Sequence, residues 1–322
     1  MQKLGIEMLE KLDIITLGES LIELSCDESL TYAKSLDKDY GGDNITTAVA
    51  ALKMGSKVGY ISKVGADSFK DFLLDSWQSE GLDVSQVKLI EGVNGVYFIA
   101  RPKNADKEFA CYRKKTAGTK LSIDDISADY IKSASYIYTT GLTQSLSLSA
   151  KETVKKAFTI AKENNVQIAY DPNYNKHIWS PEEAKEAFEE VDGLIDILFL
   201  NLNNDSAKIL EMASIDMIMK HLWDKGISIV VIKTFVEKGY YVGYQGEVTF
   251  TKYHTTENII DTTGAGDAFN GGFLHGLASG LTPFEAVKLA SILAGLQAHN
   301  IGAIKSIPSK EKVYSLYKGA ND

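Results

Sequence analysis

The stretch DTTGAGDAFNGGFLHG, residues 261–276, is the part of the sequence that decides the fold. Gly264 and Gly266 flank the small Ala265, and an apolar run follows. Without large side chains in the way, backbone N–H groups of such a loop can converge on an anion at a helix N-terminus. Asp267 then adds a carboxylate that can take a proton from an attacking hydroxyl. The stretch predicts phosphoryl transfer, although the GxG spacing alone fits a tight turn with an N-cap aspartate equally well.

The whole string resembles the C-terminal signature of the ribokinase-like (PfkB-type) carbohydrate kinases. In that family an Asp-Thr-Thr-Gly-Ala-Gly-Asp run forms the anion hole, and its last aspartate is the catalytic base. The resemblance implies that Gly264, Ala265 and Gly266 form the anion hole here and that Asp267 is the base. It also implies a ribokinase-like three-layer α/β/α fold that uses ATP and Mg2+.

The rest of the chain alternates short β-rich runs with helical patterns, which predicts a mainly parallel sheet covered on both faces. Strands are predicted at 13–17, 58–62, 136–139, 167–170, 195–200 and 229–233, and helices at 45–54, 68–80, 149–164 and from Pro181 onward. Residues 25–40 and 93–116 lack following helices and predict a small β-sheet lid, with a hairpin around 102–106. We expect one kinase domain over residues 1–322 that includes this discontinuous lid.

Composition and charge argue for a small-molecule partner. The 322 residues carry 34 Lys and Arg against 43 Asp and Glu, a net charge of −9, which disfavours a non-specific nucleic-acid surface. Two cysteines cannot build a disulfide framework, and a reducing cytoplasm fits them. No apolar stretch approaches the ~18 residues that span a bilayer, so we expect no membrane partner.

Two N-terminal segments are candidates for binding the sugar. In YGGDNITTAVAALKMG, residues 40–55, a Gly-Gly pair before a helix permits close approach of a ligand, and Asp43 could bind sugar hydroxyls. A glycine turn with Asp43 or Asn44 as N-cap is the alternative. The stretch resembles the family's N-terminal signature, which implies substrate contacts at Gly41, Gly42 and Asp43, with Thr46 where most members carry asparagine. In GESLIEL, residues 18–24, the resemblance implies that Glu23 points toward the sugar, and a solvated position on the lid is the alternative.

The lid segment indicates which sugar is bound. Arg113 can present a planar fork of donors to a carboxylate, and Tyr97 can add a hydroxyl and an apolar wall. A solvated surface arginine is the alternative. The pattern resembles 2-keto-3-deoxygluconate kinases, whose equivalent residues line a sugar-acid pocket, and Asp171 is also expected at the substrate. Asn175 departs from this branch, which has arginine there, and replacement by Lys176 is a hypothesis.

The nucleotide and its ions have candidate residues in the C-terminal half. The strand VVIKT, residues 230–234, is followed by Phe235 at the family's usual glycine position. The segment 201–205 resembles the family's Asn-x-x-Glu element, which implies that Asp205 organises Mg2+ through water. The resemblance also implies that Asp261 and Thr263 help to bind a monovalent cation such as K+. The residues expected to bind ATP are Asn201, Lys233, Thr234, Gly239, Gly264, Gly266 and Asn300.

Taken with the resemblance, the sequence predicts ATP-dependent phosphorylation of the terminal hydroxyl of a sugar acid, with 2-keto-3-deoxygluconate as the preferred substrate. A neutral-ketose kinase similar to fructokinases is the alternative, and Asn175 supports it. A catalytically silent sugar sensor on the same scaffold is a second alternative. Lid strands often pair between subunits, so we also expect a homodimer formed through the lid.

Overall fold

The computed structural model describes residues 11–103, 106–254 and 257–319, which form two β-sheets and their covering helices. The strands are β1 (Leu12–Leu17), β2 (Leu21–Cys26), β3 (Asp37–Gly41), β4 (Val58–Gly65), β5 (Asp83–Ile90), β6 (Gly95–Ala100), β7 (Glu108–Tyr112), β8 (Ala134–Thr140), β9 (Gln167–Asp171), β10 (Ile197–Asn201), β11 (Ile229–Thr234), β12 (Gly239–Tyr244) and β13 (Glu247–Lys252). The α-helices are α1 (Asp43–Met54), α2 (Lys70–Glu80), α3 (Ala128–Lys132), α4 (Gly141–Gln144), α5 (Leu148–Glu163), α6 (Pro181–Glu189), α7 (Ile215–Asp224), α8 (Ala265–Ala278), α9 (Pro283–Gln297) and α10 (Lys310–Gly319). A further helical segment covers Leu202–Leu210.

The large sheet has nine strands in the order β13-β12-β11-β10-β9-β8-β1-β4-β5. The strands from β11 to β5 are parallel to one another, whereas β12 and β13 form an antiparallel edge. All six strands predicted from the sequence lie in the parallel part, so the mainly parallel α/β fold is confirmed. The prediction missed β5, β12 and β13. Most of the β5 side chains are partly or fully exposed, so that strand lacks the apolar run of a buried strand.

Helices cover both faces of this sheet and give the three-layer arrangement. The neighbouring residues Ile14 and Ile15 of β1 are fully buried and belong to two different apolar clusters, because alternate side chains of a strand point to opposite faces. Helices α1, α8 and α9 contribute to one cluster, and α5, α6 and α7 contribute to the other. Each face therefore has its own core.

The second sheet, which we call the lid sheet, has four strands in the order β3-β2-β6-β7. β2 pairs in parallel with β6, and the outer strands β3 and β7 are antiparallel to their neighbours. The hairpin of β6 and β7 lies where the sequence predicts it, although residues 104–105 of its turn fall outside the described residues. The small apolar core of the lid sheet is formed by Leu21, Tyr97 and Ile99.

Polar side chains gather where the parallel strands end. Asp171, Asn201 and Thr234 are the last residues of β9, β10 and β11, and Thr140 ends β8. Carboxyl ends of parallel strands meet at one edge of a sheet, which is where open α/β sheets bind their ligands. Among the helices of residues 11–103, 106–254 and 257–319, none has the length and apolarity needed to cross a membrane.

Candidate active site

Residues 261–264 form the loop that leads into α8, which we call the anion-hole loop. Gly264 ends it with a backbone φ of 74°, the left-handed region in which glycine is strongly favoured. A Cβ atom at this position would lie 3.0 Å from the Cβ of Ala303 and 3.1 Å from the Cγ2 of Thr46. Glycine is therefore required by both the conformation and the space. Thr46, at the position where the family carries asparagine, packs its methyl group against this turn.

Asp267 lies in the first turn of α8, directly after the anion-hole loop, as the sequence predicts. Burial raises the pKa of its carboxyl group well above the ordinary value, and repulsion from Asp43 and Asp171 adds to the shift. The charge of Lys233 acts in the opposite direction. A raised pKa makes the Asp267 carboxylate a stronger base than an ordinary aspartate, which suits it to accept a proton.

Lys233 connects the end of β11 to this helix start. Its ammonium group is 2.9 Å from Oδ2 of Asp171 and 3.5 Å from the carbonyl oxygen of Gly266. Asn270, one turn after Asp267, donates to the same Asp171 oxygen at 2.8 Å. The structure thus places a fixed cation next to the expected position of the transferred phosphoryl group. Asn270 lies inside the stretch 261–276 but is not among the site residues predicted from the sequence.

Asp43 faces the same space from the start of α1. One of its oxygens accepts a hydrogen bond from the hydroxyl of Thr140, and burial raises the pKa of its carboxyl group. Gly42 before it has a φ of 127°, and a Cβ there would lie 3.2 Å from the carbonyl oxygen of Glu19. The hydroxyl of Thr47, in α1, donates to the backbone carbonyl oxygen of Asp267 at 3.1 Å, so the starts of α1 and α8 lie together.

Arg113 lies within the site and has an acidic partner that sequence reasoning missed. Its Nη2 atom is 2.5 Å from Oε1 of Glu19, and the same Nη2 is 3.5 Å from the carbonyl oxygen of Leu142. Glu19 is buried, which raises its pKa to about 7, with repulsion from Asp43 adding to the shift and Arg113 opposing it. Glu19 lies in the same GESLIEL segment as Glu23, so a second acidic residue in that segment was the available signal.

Glu23 and Tyr97 meet on the inner part of the lid sheet. The Tyr97 hydroxyl donates a short hydrogen bond to Oε2 of Glu23, while burial raises the pKa of Glu23. A Cβ on Gly41 would lie 2.3 Å from the Tyr97 hydroxyl, so glycine is needed for this approach. The other oxygen of Glu23 is buried and accepts no hydrogen bond from the described part of the chain. The acceptor capacity of this oxygen is therefore unused within the described residues.

A cavity of about 320 Å³ lies beside the anion-hole loop. Lys233 and Gly266 line it on the phosphate side, and Phe235, Tyr240 and Tyr253 supply aromatic surface. Flat apolar walls next to a lysine and a helix N-terminus fit a nucleotide with its base in the cavity and its phosphates at α8.

Three other residues expected to bind ATP, Thr234, Gly239 and Asn300, do not line this cavity. The Thr234 hydroxyl is buried and accepts from the backbone N–H of Glu237 at 3.4 Å. Gly239 packs under Phe250, since a Cβ there would lie 2.4 Å from the Phe250 ring. Asn300 is exposed, and Ala298 of the same segment lines the cavity instead.

Asp205 and Asn201 organise the loops at the ends of β9 and β10. The carboxylate of Asp205 accepts the backbone N–H groups of Tyr174 at 2.8 Å and Asn201 at 2.6 Å. Burial, followed by repulsion from Asp171, raises the pKa of Asp205 to about 7. Asn201 accepts two backbone N–H groups of the following helical segment. Both residues hold backbone, so contact with Mg2+ would pass through water.

Asn175, the departure from the sugar-acid branch, lies in the loop after β9. Its side-chain oxygen accepts the backbone N–H of His177 at 2.9 Å, which fixes the turn after β9. Lys176 beside it is exposed. The structure therefore gives no contact that would let Lys176 replace the family's arginine.

Asp261, at the start of the anion-hole loop, is buried and heavily hydrogen-bonded. Its Oδ1 accepts from the backbone N–H and the hydroxyl of Thr263 and from Lys107, and its Oδ2 accepts from Arg101 and the backbone N–H of Gly302. Burial alone would raise the pKa of Asp261. The hydrogen bonds from the Thr263 hydroxyl and from the backbone N–H groups of Gly302 and Thr263 outweigh burial and hold this pKa far below its ordinary value.

Comparison with known families and proteins gives a consistent result. The family model described as pfkB family carbohydrate kinase matches residues 11–310. A 2-dehydro-3-deoxygluconokinase of Bacillus subtilis (strain 168) is 28% identical over 95% of each chain. One of Thermoproteus tenax is 30% identical over 95% of this chain and 94% of its own. A 5-dehydro-2-deoxygluconokinase of Clostridium beijerinckii is 25% identical over 99% of this chain and 96% of its own.

Solved structures share the fold. A putative ribokinase II from E. coli, in complex with ATP and Mg2+, has a TM-score of 0.86 at 21% identity and covers 96% of this chain and 99% of its own. The 2-dehydro-3-deoxygluconokinase of Thermotoga maritima has a TM-score of 0.86 at 20% identity with the same coverage. The ribokinase-like fold predicted from the sequence is confirmed.

Proposed function

Because the chain belongs to the pfkB family of carbohydrate kinases, we propose that it transfers a phosphoryl group from ATP to the terminal hydroxyl of a keto-deoxy sugar acid. We name 2-keto-3-deoxygluconate, the dehydro-deoxy acid of the first relatives above, as the substrate. The observation that carries the proposal is the position of Asp267 at the start of α8, directly after the anion-hole loop and close enough to Asp43 to feel its charge, while Asp43 in turn interacts with the carboxylate-binding candidate Arg113.

The residues account for the chemistry of the transfer. Asp267 takes the proton of the sugar hydroxyl. The sugar oxygen forms a new bond to the transferred phosphorus, and the bond between that phosphorus and ADP breaks. Backbone N–H groups at the start of α8 and the ammonium of Lys233 stabilise the negative charge on the transferred group. The lid sheet covers the sugar and excludes water, which would otherwise compete as the acceptor.

Mg2+ would bind together with ATP in the proposed reaction. Bound there, it would neutralise charge on the phosphates, and we propose that Asp205 organises its waters. The structure supports an indirect role, because both oxygens of Asp205 already accept backbone N–H groups. The E. coli relative described above was solved with ATP and Mg2+.

The sugar acid is supported by the lid and by the relatives. Arg113 is half-buried at the site, and a guanidinium held there can bind a carboxylate through two parallel hydrogen bonds. The relatives from Bacillus subtilis, Thermoproteus tenax and Clostridium beijerinckii are named as kinases of dehydro-deoxy derivatives of gluconate. A positional isomer, the 5-keto-2-deoxy acid, would present the same carboxylate and the same terminal hydroxyl.

A neutral ketose is the second candidate, because two observations favour it. Asn175 stands where sugar-acid kinases carry an arginine. Arg113 already forms an ion pair with Glu19, which partly neutralises its charge. Because only Arg113 is left to bind a carboxylate, a ketose such as fructose would bind only slightly more weakly than a sugar acid. Comparison of kcat/KM for the two sugars distinguishes these candidates.

The proposal is tested with Asp267→Asn. This variant keeps the shape of the side chain but cannot accept the proton, so kcat should fall on the order of 10²-fold or more while KM for the sugar changes little. Asp71→Asn on the outer surface of α2 is the matched control and should keep full activity. Normal turnover of Asp267→Asn in coupled ADP release would remove this residue as the base.

We also propose a homodimer formed through the lid sheet. Phe109 and Tyr112 of the edge strand β7 are largely exposed, at 60% and 65%. Unpaired edge strands with apolar side chains favour pairing with a second chain. Sedimentation equilibrium should give the mass of two chains, and Tyr112→Asp should reduce it to one. A single-chain mass for the unchanged protein would contradict this arrangement.

A further inference from the structure

The anion-hole loop is held by charges that come from the lid sheet. Arg101 directly follows β6, and Lys107 directly precedes β7, so the two residues flank the turn of the lid hairpin. Arg101 is 2.6 Å from Oδ2 of Asp261, and Lys107 is 3.3 Å from Oδ1 of the same carboxylate. Arg101 is also fixed from behind, since its backbone N–H donates to the carbonyl oxygen of Cys26 at 2.9 Å.

Lys107 occupies the position expected for a monovalent cation. Its ammonium contacts Oδ1 of Asp261 and, at 2.5 Å, the hydroxyl oxygen of Thr263, which are the two residues expected to help bind such an ion. A bound K+ would need these same oxygens and would be repelled by the ammonium group. Neither residue can serve both cations at once.

Backbone oxygens near the loop are also engaged. The side-chain NH2 group of Gln297 donates to the carbonyl oxygens of Thr263 at 3.1 Å and Ala303 at 2.9 Å. The carbonyl oxygen of Ala298 accepts the backbone N–H of Asp261 at 3.2 Å. A carbonyl oxygen has two acceptor positions and can still coordinate an ion, but an ion here would also need the two side-chain oxygens that Lys107 holds. The residues present do not fit a resident monovalent cation.

We propose that the ammonium group of Lys107 takes the place of a monovalent metal cation in this chain. The lid sheet then supplies the positive charge that fixes the anion-hole loop, and turnover needs no added K+. Arg101 holds the other oxygen of Asp261, so the loop is fixed when the lid hairpin lies against it. Lys107 is a positioning residue, because it acts on the anion hole through Asp261 and Thr263.

Thermal unfolding tests this assignment without a sugar. For the unchanged protein, Tm should be the same in KCl and in tetramethylammonium chloride at equal ionic strength, which holds screening constant. Lys107→Ala exposes the two oxygens, so K+ should bind the folded variant and raise its Tm by about 2–4 °C relative to tetramethylammonium. Lys103→Ala removes an exposed lysine from the same hairpin and should show no difference between the salts.

Turnover gives the second readout. The unchanged enzyme and Lys103→Ala should release ADP equally fast in both salts. Lys107→Ala should release ADP more slowly, on the order of tenfold, in tetramethylammonium chloride, because the anion-hole loop loses the positive charge of Lys107. KCl should restore the rate of this variant.

Two results would overturn the proposal. A rise in Tm or in rate of the unchanged protein with KCl would show that a monovalent cation binds beside Lys107, and this comparison needs no variant. A Lys107→Ala variant that folds but does not respond to KCl would show that the oxygens form no cation site. The unfolding result is independent of the sugar, so its failure is separate from a failure of the proposed function.

Discussion

The ion pair of Glu19 and Arg113 predicts how substrate affinity changes with pH. Arg113 is the group we expect to bind the sugar carboxylate, and Glu19 lies 2.5 Å from it. An ionised Glu19 competes with the substrate for the same guanidinium, whereas a protonated Glu19 leaves it free. Burial raises the pKa of Glu19 from 4.5 to about 7, so the competition begins near neutral pH.

The size of the effect follows from that pKa. A carboxyl group with a pKa near 7 is roughly one-tenth ionised at pH 6 and nine-tenths ionised at pH 8, whereas the sugar acid stays ionised throughout. If only the protonated form admits the substrate, KM is proportional to 1 + 10^(pH − pKa). KM for the sugar acid should therefore rise about tenfold from pH 6 to pH 8.

Glu19→Gln supplies the test. The variant keeps the side-chain volume but carries no charge, so its KM for the sugar acid should be independent of pH over this range and equal to the low-pH value of the unchanged enzyme. KM for ATP, measured in the same coupled assay, is the internal control and should show the same pH dependence in both proteins. A flat KM in the unchanged enzyme, or an equal rise in Glu19→Gln, would refute the competition between Glu19 and the substrate.

Three further substitutions test other parts of the site. Arg113→Ala should raise KM for the sugar acid by roughly 10- to 100-fold and leave KM for fructose nearly unchanged, because a charged hydrogen bond is lost; the neighbouring Lys114→Ala is the control, and equal effects on both sugars would argue against a carboxylate partner. Gly264→Ala should reduce stability by about 1–3 kcal/mol in urea unfolding and also lower kcat, since φ is 74° and the new Cβ meets Ala303. Gly280 has a φ of 87° and open space around it, so the control variant Gly280→Ala should lose stability but keep full kcat. Equal kcat in the two variants would contradict the assignment of the anion hole. Asn175→Arg should lower KM for the sugar acid by roughly tenfold if the position faces the carboxylate, and an unchanged KM would show that it does not.

Much of the fold was predictable because its signals are local. Buried parallel strands such as β1 and β11 are short apolar runs, and their connecting helices end at glycines with left-handed φ, such as Gly55 and Gly81. The edge strands were harder, because β5 and β13 expose many side chains and lack that pattern. Their position depends on pairing with neighbours, which the sequence does not display.

The site was predictable where the chain itself brings residues together. The anion-hole loop and Asp267 are contiguous, so one stretch predicts both. Partners that are distant in sequence were missed: Glu19 meets Arg113 across the lid, and Lys107 meets Asp261 across 154 positions. Such ion pairs depend on how the lid sheet lies on the large sheet. The raised pKa of Glu19 was also not predictable, because it is caused by burial, which depends on the folded structure.

The most direct test of the proposed function is coupled ADP release with Mg-ATP across 2-keto-3-deoxygluconate, 2-keto-3-deoxygalactonate, 5-keto-2-deoxygluconate, fructose, ribose and adenosine. The structure predicts the highest kcat/KM for a keto-deoxy acid, because Arg113 is held at the site for a carboxylate. A higher kcat/KM for fructose or ribose would contradict the carboxylate pocket while keeping the kinase. ADP release with none of the six would contradict the proposed reaction itself and favour a sugar sensor on this scaffold.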